Sequence, residues 1–195
     1  MHGRRGFLAG AGALGAVPLA GRAQGRRPDS GALRTLRYPF EIAETTFDPA
    51  AIQDGYSRQI TGHIFEAPLE YDYYARPARL VPCTLAALPE AAADFRSFTL
   101  RLRPGILFAD DPAFGGQPRE LVAADYVYAW KRLYDPRWKS PMLFQLEPSR
   151  LLGLDELRQQ ALKSRTPFDY DRPVDGLRAL DRYTLQIRLA EPAPR

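Results

Sequence analysis

Hydrophobic and polar residues alternate most clearly in two short runs. Phe98, Leu100 and Leu102 stand against Thr99, Arg101 and Arg103, and Tyr183, Leu185, Ile187 and Leu189 stand against Thr184, Gln186 and Arg188. A period of two puts each apolar set on one face of an extended chain, so both runs predict half-buried antiparallel strands. Between them the period lengthens. Val127, Trp130 and Tyr134 fall at i, i+3 and i+7, Leu133 widens that face, and Lys131 and Arg132 lie off it, which predicts an amphipathic helix within 119–141. Asp125 sits in its first turn, where a carboxylate favours the positive helix end, and Asp135-Pro136 stops it because the residue before proline avoids the α region. The apolar stripe reads as buried scaffold, each large side chain contributing about 1.5–3 kcal/mol.

The remaining pattern is shorter. A strand is expected at 33–38, a loop at 49–55, and a helix at 57–66 with Ile60 and Ile64 on one face and Pro68 as its stop. A further helix near 154–162 is acidic at its start (Asp155, Glu156) and followed by Lys163 and Arg165. The order strand, helix, strand, turn, helix, helix, strand suits an α+β unit with mixed or antiparallel pairing. The chain runs out at Ala190-Glu191-Pro192-Ala193-Pro194-Arg195 straight after a strand, and is expected to be part of a longer protein.

Composition adds a packed core, with 45% hydrophobic and 11% aromatic residues in 195. The N-terminus changes the reading of charge. Arg4-Arg5-Gly6-Phe7-Leu8-Ala9 is a twin-arginine start followed by a Gly/Ala-rich apolar run, and Gly21-Arg22-Ala23 offers small residues for cleavage after Ala23. Residues 1–23 are therefore expected to be a signal peptide, with 24–32 a linker. Removing them takes Arg4, Arg5 and Arg22 and lowers the formal charge from +4 to +1. The basic residues that remain are interspersed with acids, which argues against nucleic-acid binding.

Candidate chemistry is sparse. Gly10-Ala11-Gly12-Ala13-Leu14-Gly15 matches a dinucleotide-binding spacing, but it follows the twin arginines rather than a strand. Asp110-Asp111-Pro112 with Gly115-Gly116 has turn composition and lacks a calcium-loop spacing. Cys83 is the one cysteine and His63 the one histidine after the signal, which leaves metal clusters and Cys-His catalysis poorly supported. No cofactor is expected.

The order of several motifs resembles the bacterial extracellular solute-binding proteins of family 5, which include periplasmic oligopeptide-binding components of ABC importers. Phe47-Asp48-Pro49 is similar to the family's early Leu-Asp-Pro loop, Ile64-Phe65-Glu66 to its Phe-Glu-Gly, and Leu80-Val81-Pro82 to the segment before its next strand. Phe98 to Gly105 resembles Tyr-Thr-Phe-x-Leu-Arg-x-Gly. Val122 to Leu133 resembles Thr-Ala-x-Asp-Phe-Val-Tyr-Ser-Trp-x-Arg-Leu, and Gly176 to Pro192 resembles a run through Ala-Leu-Asp-x-Tyr-Thr. The chain departs from the pattern in its longer 110–119 loop, in Cys83, and in Val122 at the helix cap, where losing a threonine costs about 1 kcal/mol.

The resemblance implies a type II periplasmic-binding-protein-like lobe with a mixed sheet: residues 33–195 as the N-terminal part of lobe I, with an inserted subdomain over about 66–190. It implies a non-enzymatic, monomeric periplasmic protein that captures a peptide or related small polar solute and delivers it to an ABC permease in the inner membrane. Ligand-facing groups carry over to Gln53, Asp54 and Gly55, and Met142 stands where oligopeptide binders use a tyrosine. Without the second lobe, no measurable ligand affinity is expected. The rival is a cofactor-dependent oxidoreductase exported by the twin-arginine route, for which the residues after Ala23 supply no cofactor motif.

Overall fold

The two alternating runs pair with each other. In the computed structural model, which describes residues 35–164 and 166–193, Ser97–Arg101 (β4) lies antiparallel to Thr184–Arg188 (β6), with Phe98 opposite Ile187 and Leu100 opposite Leu185. Directly opposed residues share a face, so the two apolar sets merge into one surface, where Leu100, Leu102, Leu185 and Leu189 are all buried. Glu90–Ala91 (β3) adds to the outer edge of β4 and Leu177–Ala179 (β5) to that of β6, giving a sheet ordered β3-β4-β6-β5. Leu69–Tyr71 (β1) and Leu80–Pro82 (β2) form a separate two-stranded hairpin. Every strand pairing among the described residues is antiparallel.

The helix expected within 119–141 is Ala123–Tyr134 (α2). Val122 has no side chain that can cap it. Instead the Asp125 carboxylate reaches back to the Val122 N–H at 2.8 Å and also pairs with Arg119, while the Ala123 N–H donates to the Arg182 carbonyl at 2.9 Å. Asp135 then turns extended at ψ 118° ahead of Pro136 and ends the helix. The burial of this helix differs from expectation. Ala123, Lys131 and Tyr134 are buried, whereas Val127, Trp130 and Leu133 are half-buried. Lys131, placed off the apolar face by periodicity, is 3% exposed. Its Nζ donates to the carbonyls of Tyr170 and Arg172, each at 2.7 Å. Burial pulls its pKa below the usual lysine value.

Leu143–Leu146 (α3) and Leu154–Ser164 (α4) follow, with Leu154 and Leu157 packed into the core. Between α4 and the sheet, three strands of backbone meet at Gly176. Its N–H donates to the Leu152 carbonyl at 2.7 Å and its carbonyl accepts from the Arg188 N–H at 3.0 Å, while the Leu152 N–H donates to the Arg188 carbonyl at 3.2 Å. A Cβ built on Gly176 would lie 2.3 Å from the Leu152 nitrogen, so the junction closes only around glycine.

Two expectations fail here. The helix at 57–66 is Gly55–Thr61 (α1): Gly62 caps it by donating to the Arg58 carbonyl at 3.0 Å, and Ile64 is 57% exposed. Glycine costs about 1 kcal/mol inside a helix, so the element stops there, well ahead of Pro68. The strand at 33–38 is absent over its described part: residues 35–38 are exposed and form no regular element, because an apolar run becomes a strand only where a neighbouring ladder takes its polar groups. Among the described residues, those from Phe40 onward form one compact unit. The expected signal peptide, including Arg4, Arg5, Phe7, Leu8 and Ala23, and the whole of the expected linker at 24–32 lie outside the described residues. At 110–116 the turn is as expected, with Asp111 capping a 3-10 turn over Pro112–Phe114 that Gly115 closes at φ 57°.

Candidate functional site

The loop carrying Gln53, Asp54 and Gly55 is tied at both ends. At its far end Asp54 is the N-cap of α1: Oδ1 accepts the Ser57 N–H at 2.7 Å and Oδ2 accepts the Thr45 hydroxyl at 2.5 Å. These bonds hold its carboxyl down to about 2. Ser57 is fully buried and its Oγ accepts the backbone N–H groups of Thr45 and Thr46. In the middle, Ala50 and Ile52 turn inward, at 3% and 6% exposure. Gln53 and Gly55 face solvent, while Asp54 is half-buried.

The near end is fixed from α2. Arg132 donates through Nη1 to Asp48 Oδ1 at 3.0 Å and through Nη2 to Asp48 Oδ2 at 2.6 Å, and Oδ1 also accepts the Ala50 N–H at 3.0 Å. The Arg132 bonds lead in lowering the Asp48 pKa, against burial. Behind the guanidinium lies the Trp138 ring, its centroid 4.5 Å from Arg132 Cζ. Trp138 in turn donates through Nε1 to the Tyr170 hydroxyl at 3.2 Å, and Tyr170 donates to Asp135 Oδ2 at 2.8 Å. Asp135 is fully buried and accepts from Arg137 Nη2 at 2.7 Å. Burial pushes its pKa up, but the bonds from Arg137 and Tyr170 outweigh it and leave the carboxyl below its ordinary value.

A cavity of about 970 Å³ opens along α2, walled by Phe65, Phe108, Tyr126, Trp130 and Leu133. This is why Trp130 and Leu133 are only half-buried. Met142 lines the cavity together with Arg132 and with Pro49 and Ala50 of the loop, whereas Gln53, Asp54 and Gly55 do not. The structure thus brings Met142 to the base of the loop but not to its exposed tip. An apolar wall with a few charged groups suits non-covalent capture. Among the described residues no group of three or more His, Cys, Asp or Glu could hold a metal ion. The pairing of Arg132 with Asp48 escaped the sequence pattern, since the partners lie far apart in the chain. The one signal available was Asp48 standing before proline.

The chain is similar to several known binding proteins. The periplasmic oligopeptide-binding protein OppA of Escherichia coli (strain K12) is 30% identical over 150 residues, which cover 76% of this chain and 24% of that protein. Among solved structures, the periplasmic murein tripeptide-binding protein MppA in its unliganded open form shares 26% identity with a TM-score of 0.55, over 77% of this chain and 25% of that one. Haemophilus influenzae OppA in complex with the peptide RPPGFSPFR superposes with a TM-score of 0.57 at 24% identity, over 76% of this chain and 25% of that one, a likeness of fold. The chain spans about a quarter of the length of these relatives. Residues 79–195 match the model of the bacterial extracellular solute-binding proteins, family 5 (Middle). With more than half of its length matched by that model, the chain belongs to family 5 of the bacterial extracellular solute-binding proteins.

Proposed function

We propose that the protein serves as the substrate-binding component of an ABC-type importer, capturing a peptide or a related small polar solute without chemical turnover. The observation that carries this reading is the family match over residues 79–195, joined to the identity with an oligopeptide-binding protein over most of the described chain. The comparisons point to binding proteins rather than to an oxidoreductase.

On this reading residues 1–23 direct export by the twin-arginine route, 24–32 are a linker, and 33–195 form the first part of lobe I with an inserted subdomain over about 66–190. The protein works as a periplasmic monomer and hands its ligand to a permease in the inner membrane. Gln53 and Gly55 supply exposed polar groups at the loop tip. The Asp54 carboxylate is already committed to capping α1, so its backbone is what faces a ligand. Met142 brings a thioether to the loop's base, where it contributes contact rather than a strong hydrogen bond.

The test is isolation of the natural gene product from the exported fraction of its cell, native mass spectrometry, and identification of what denaturation releases. Released peptides, with residues 1–23 missing from the protein, are the expected outcome. A flavin, haem or nicotinamide cofactor in their place overturns the reading.

A further inference from the structure

We propose that Arg132 is a positioning residue for ligand binding: by gripping Asp48 it fixes the loop whose exposed tip is Gln53 to Gly55. The proposal rests on the reading of that tip as ligand-facing. Its basis is geometric. The grip is two-pronged, with both guanidinium ends on both carboxylate oxygens at 3.0 and 2.6 Å, an arrangement that sets orientation as well as distance.

It joins segments that share no strand pairing, α2 and the loop before α1. It is also enclosed: the two side chains keep only 21% and 28% exposure, and the Trp138 ring covers the guanidinium. Asp48 transmits the hold, because the oxygen that accepts from Arg132 also accepts the Ala50 N–H, and the Ala51 N–H donates to the Asp48 carbonyl at 2.9 Å. With Asp54 anchored on α1 and Ala50 and Ile52 turned inward, residues 49–53 are held between two fixed points. A loop held this way loses little freedom when a ligand arrives, and that loss is what weakens binding to mobile loops.

The test uses the natural gene product and its variants Arg132→Met, Arg132→Lys, Asp48→Asn and the Arg132→Met/Asp48→Asn pair. Amide hydrogen exchange reads the loop, and calorimetric titration with trialanine reads binding. Met keeps the apolar stem, Asn keeps the acceptor for Ala50, and Lys keeps the charge without the fork. In Arg132→Met, exchange at residues 50–57 is expected to quicken about tenfold or more, with β4 and β6 unchanged. Trialanine affinity falls by a similar factor, Arg132→Lys falls between, and the double variant loses little beyond the single ones because the pair acts as a unit.

Exchange at 50–57 as slow as in the unsubstituted protein overturns the proposal whatever happens to binding. Faster exchange with unchanged affinity overturns the link to the ligand. Exchange that quickens equally in β4 and β6 overturns positioning in favour of general destabilisation. Failure of the unsubstituted protein to bind any peptide overturns the proposed function itself, and is told apart because the loop's exchange still responds to Arg132.

Discussion

Gly176→Ala tests the three-way junction behind the sheet. The added methyl would sit 2.3 Å from the Leu152 nitrogen, 2.6 Å from its carbonyl oxygen and 2.7 Å from the Leu151 carbonyl carbon. All three are backbone atoms, so no side chain can swing aside. Relief requires the 151–152 segment to part from residue 176, breaking the Gly176 N–H bond to Leu152 and pulling on the Leu152 N–H bond to Arg188. Two net hydrogen bonds are worth about 2 kcal/mol. Shifting Leu151 and Leu177, 3% and 2% exposed, adds about 1–3 kcal/mol of overpacking. The expected loss is therefore about 3–5 kcal/mol, a third or more of a typical domain's stability. Urea unfolding followed by tryptophan fluorescence measures it. Gly55→Ala is the control, because a methyl there meets nothing within 4 Å and should stabilise by about 0.4–1 kcal/mol. A Gly176→Ala protein within 1 kcal/mol of the unsubstituted one would refute the reasoning that contact with the backbone dictates glycine at this position.

Further outcomes are expected at three side chains. The Tyr134 hydroxyl is buried with no hydrogen-bond partner, so Tyr134→Phe should raise stability by about 1 kcal/mol in the same unfolding assay. Asp54→Ala removes the cap of α1 and should cost about 1 kcal/mol, with exchange at Ser57 quickening first. Glu120, bonded by Arg182, the Gly105 N–H and Tyr183, has its pKa held from 4.5 down to about 2. A folded pKa below the unfolded one means stability present above pH 4.5 and lost as pH falls toward 2. Carboxyl NMR titration should place Glu120 near 2, and Glu120→Gln should flatten that part of the acid unfolding profile.

Elements with several turns or a clear alternation were legible from residue order: α2, α4, β4 and β6 fall where periodicity places them, because each buries a face long enough to leave a pattern. The strands β1, β2, β3 and β5 span two or three residues each, too few to show a period, and they exist because a longer strand or a hairpin partner lies beside them. Lys131 was misread for a related reason. Periodicity sorts residues by type, whereas its burial depends on two carbonyls about 40 positions away supplying what water would. The family was readable because it lives in ordered short motifs. The loop proposed to face the ligand was readable only as a location; what holds it, Arg132 on Asp48, is a meeting of distant segments that no local pattern encodes.

The shortness of the outer strands has a further consequence. Among the described residues the four-stranded sheet ends on one side in β3, two residues long, and on the other in β5, three residues long. A foreign strand that tried to add to either side would find only one or two free ladder positions before the chain turns away, too little to offset its own loss of freedom. A protein whose proposed task brings it into contact with extended peptides thereby leaves them little purchase along the rims of this sheet, and stray pairing there is discouraged by strand length alone.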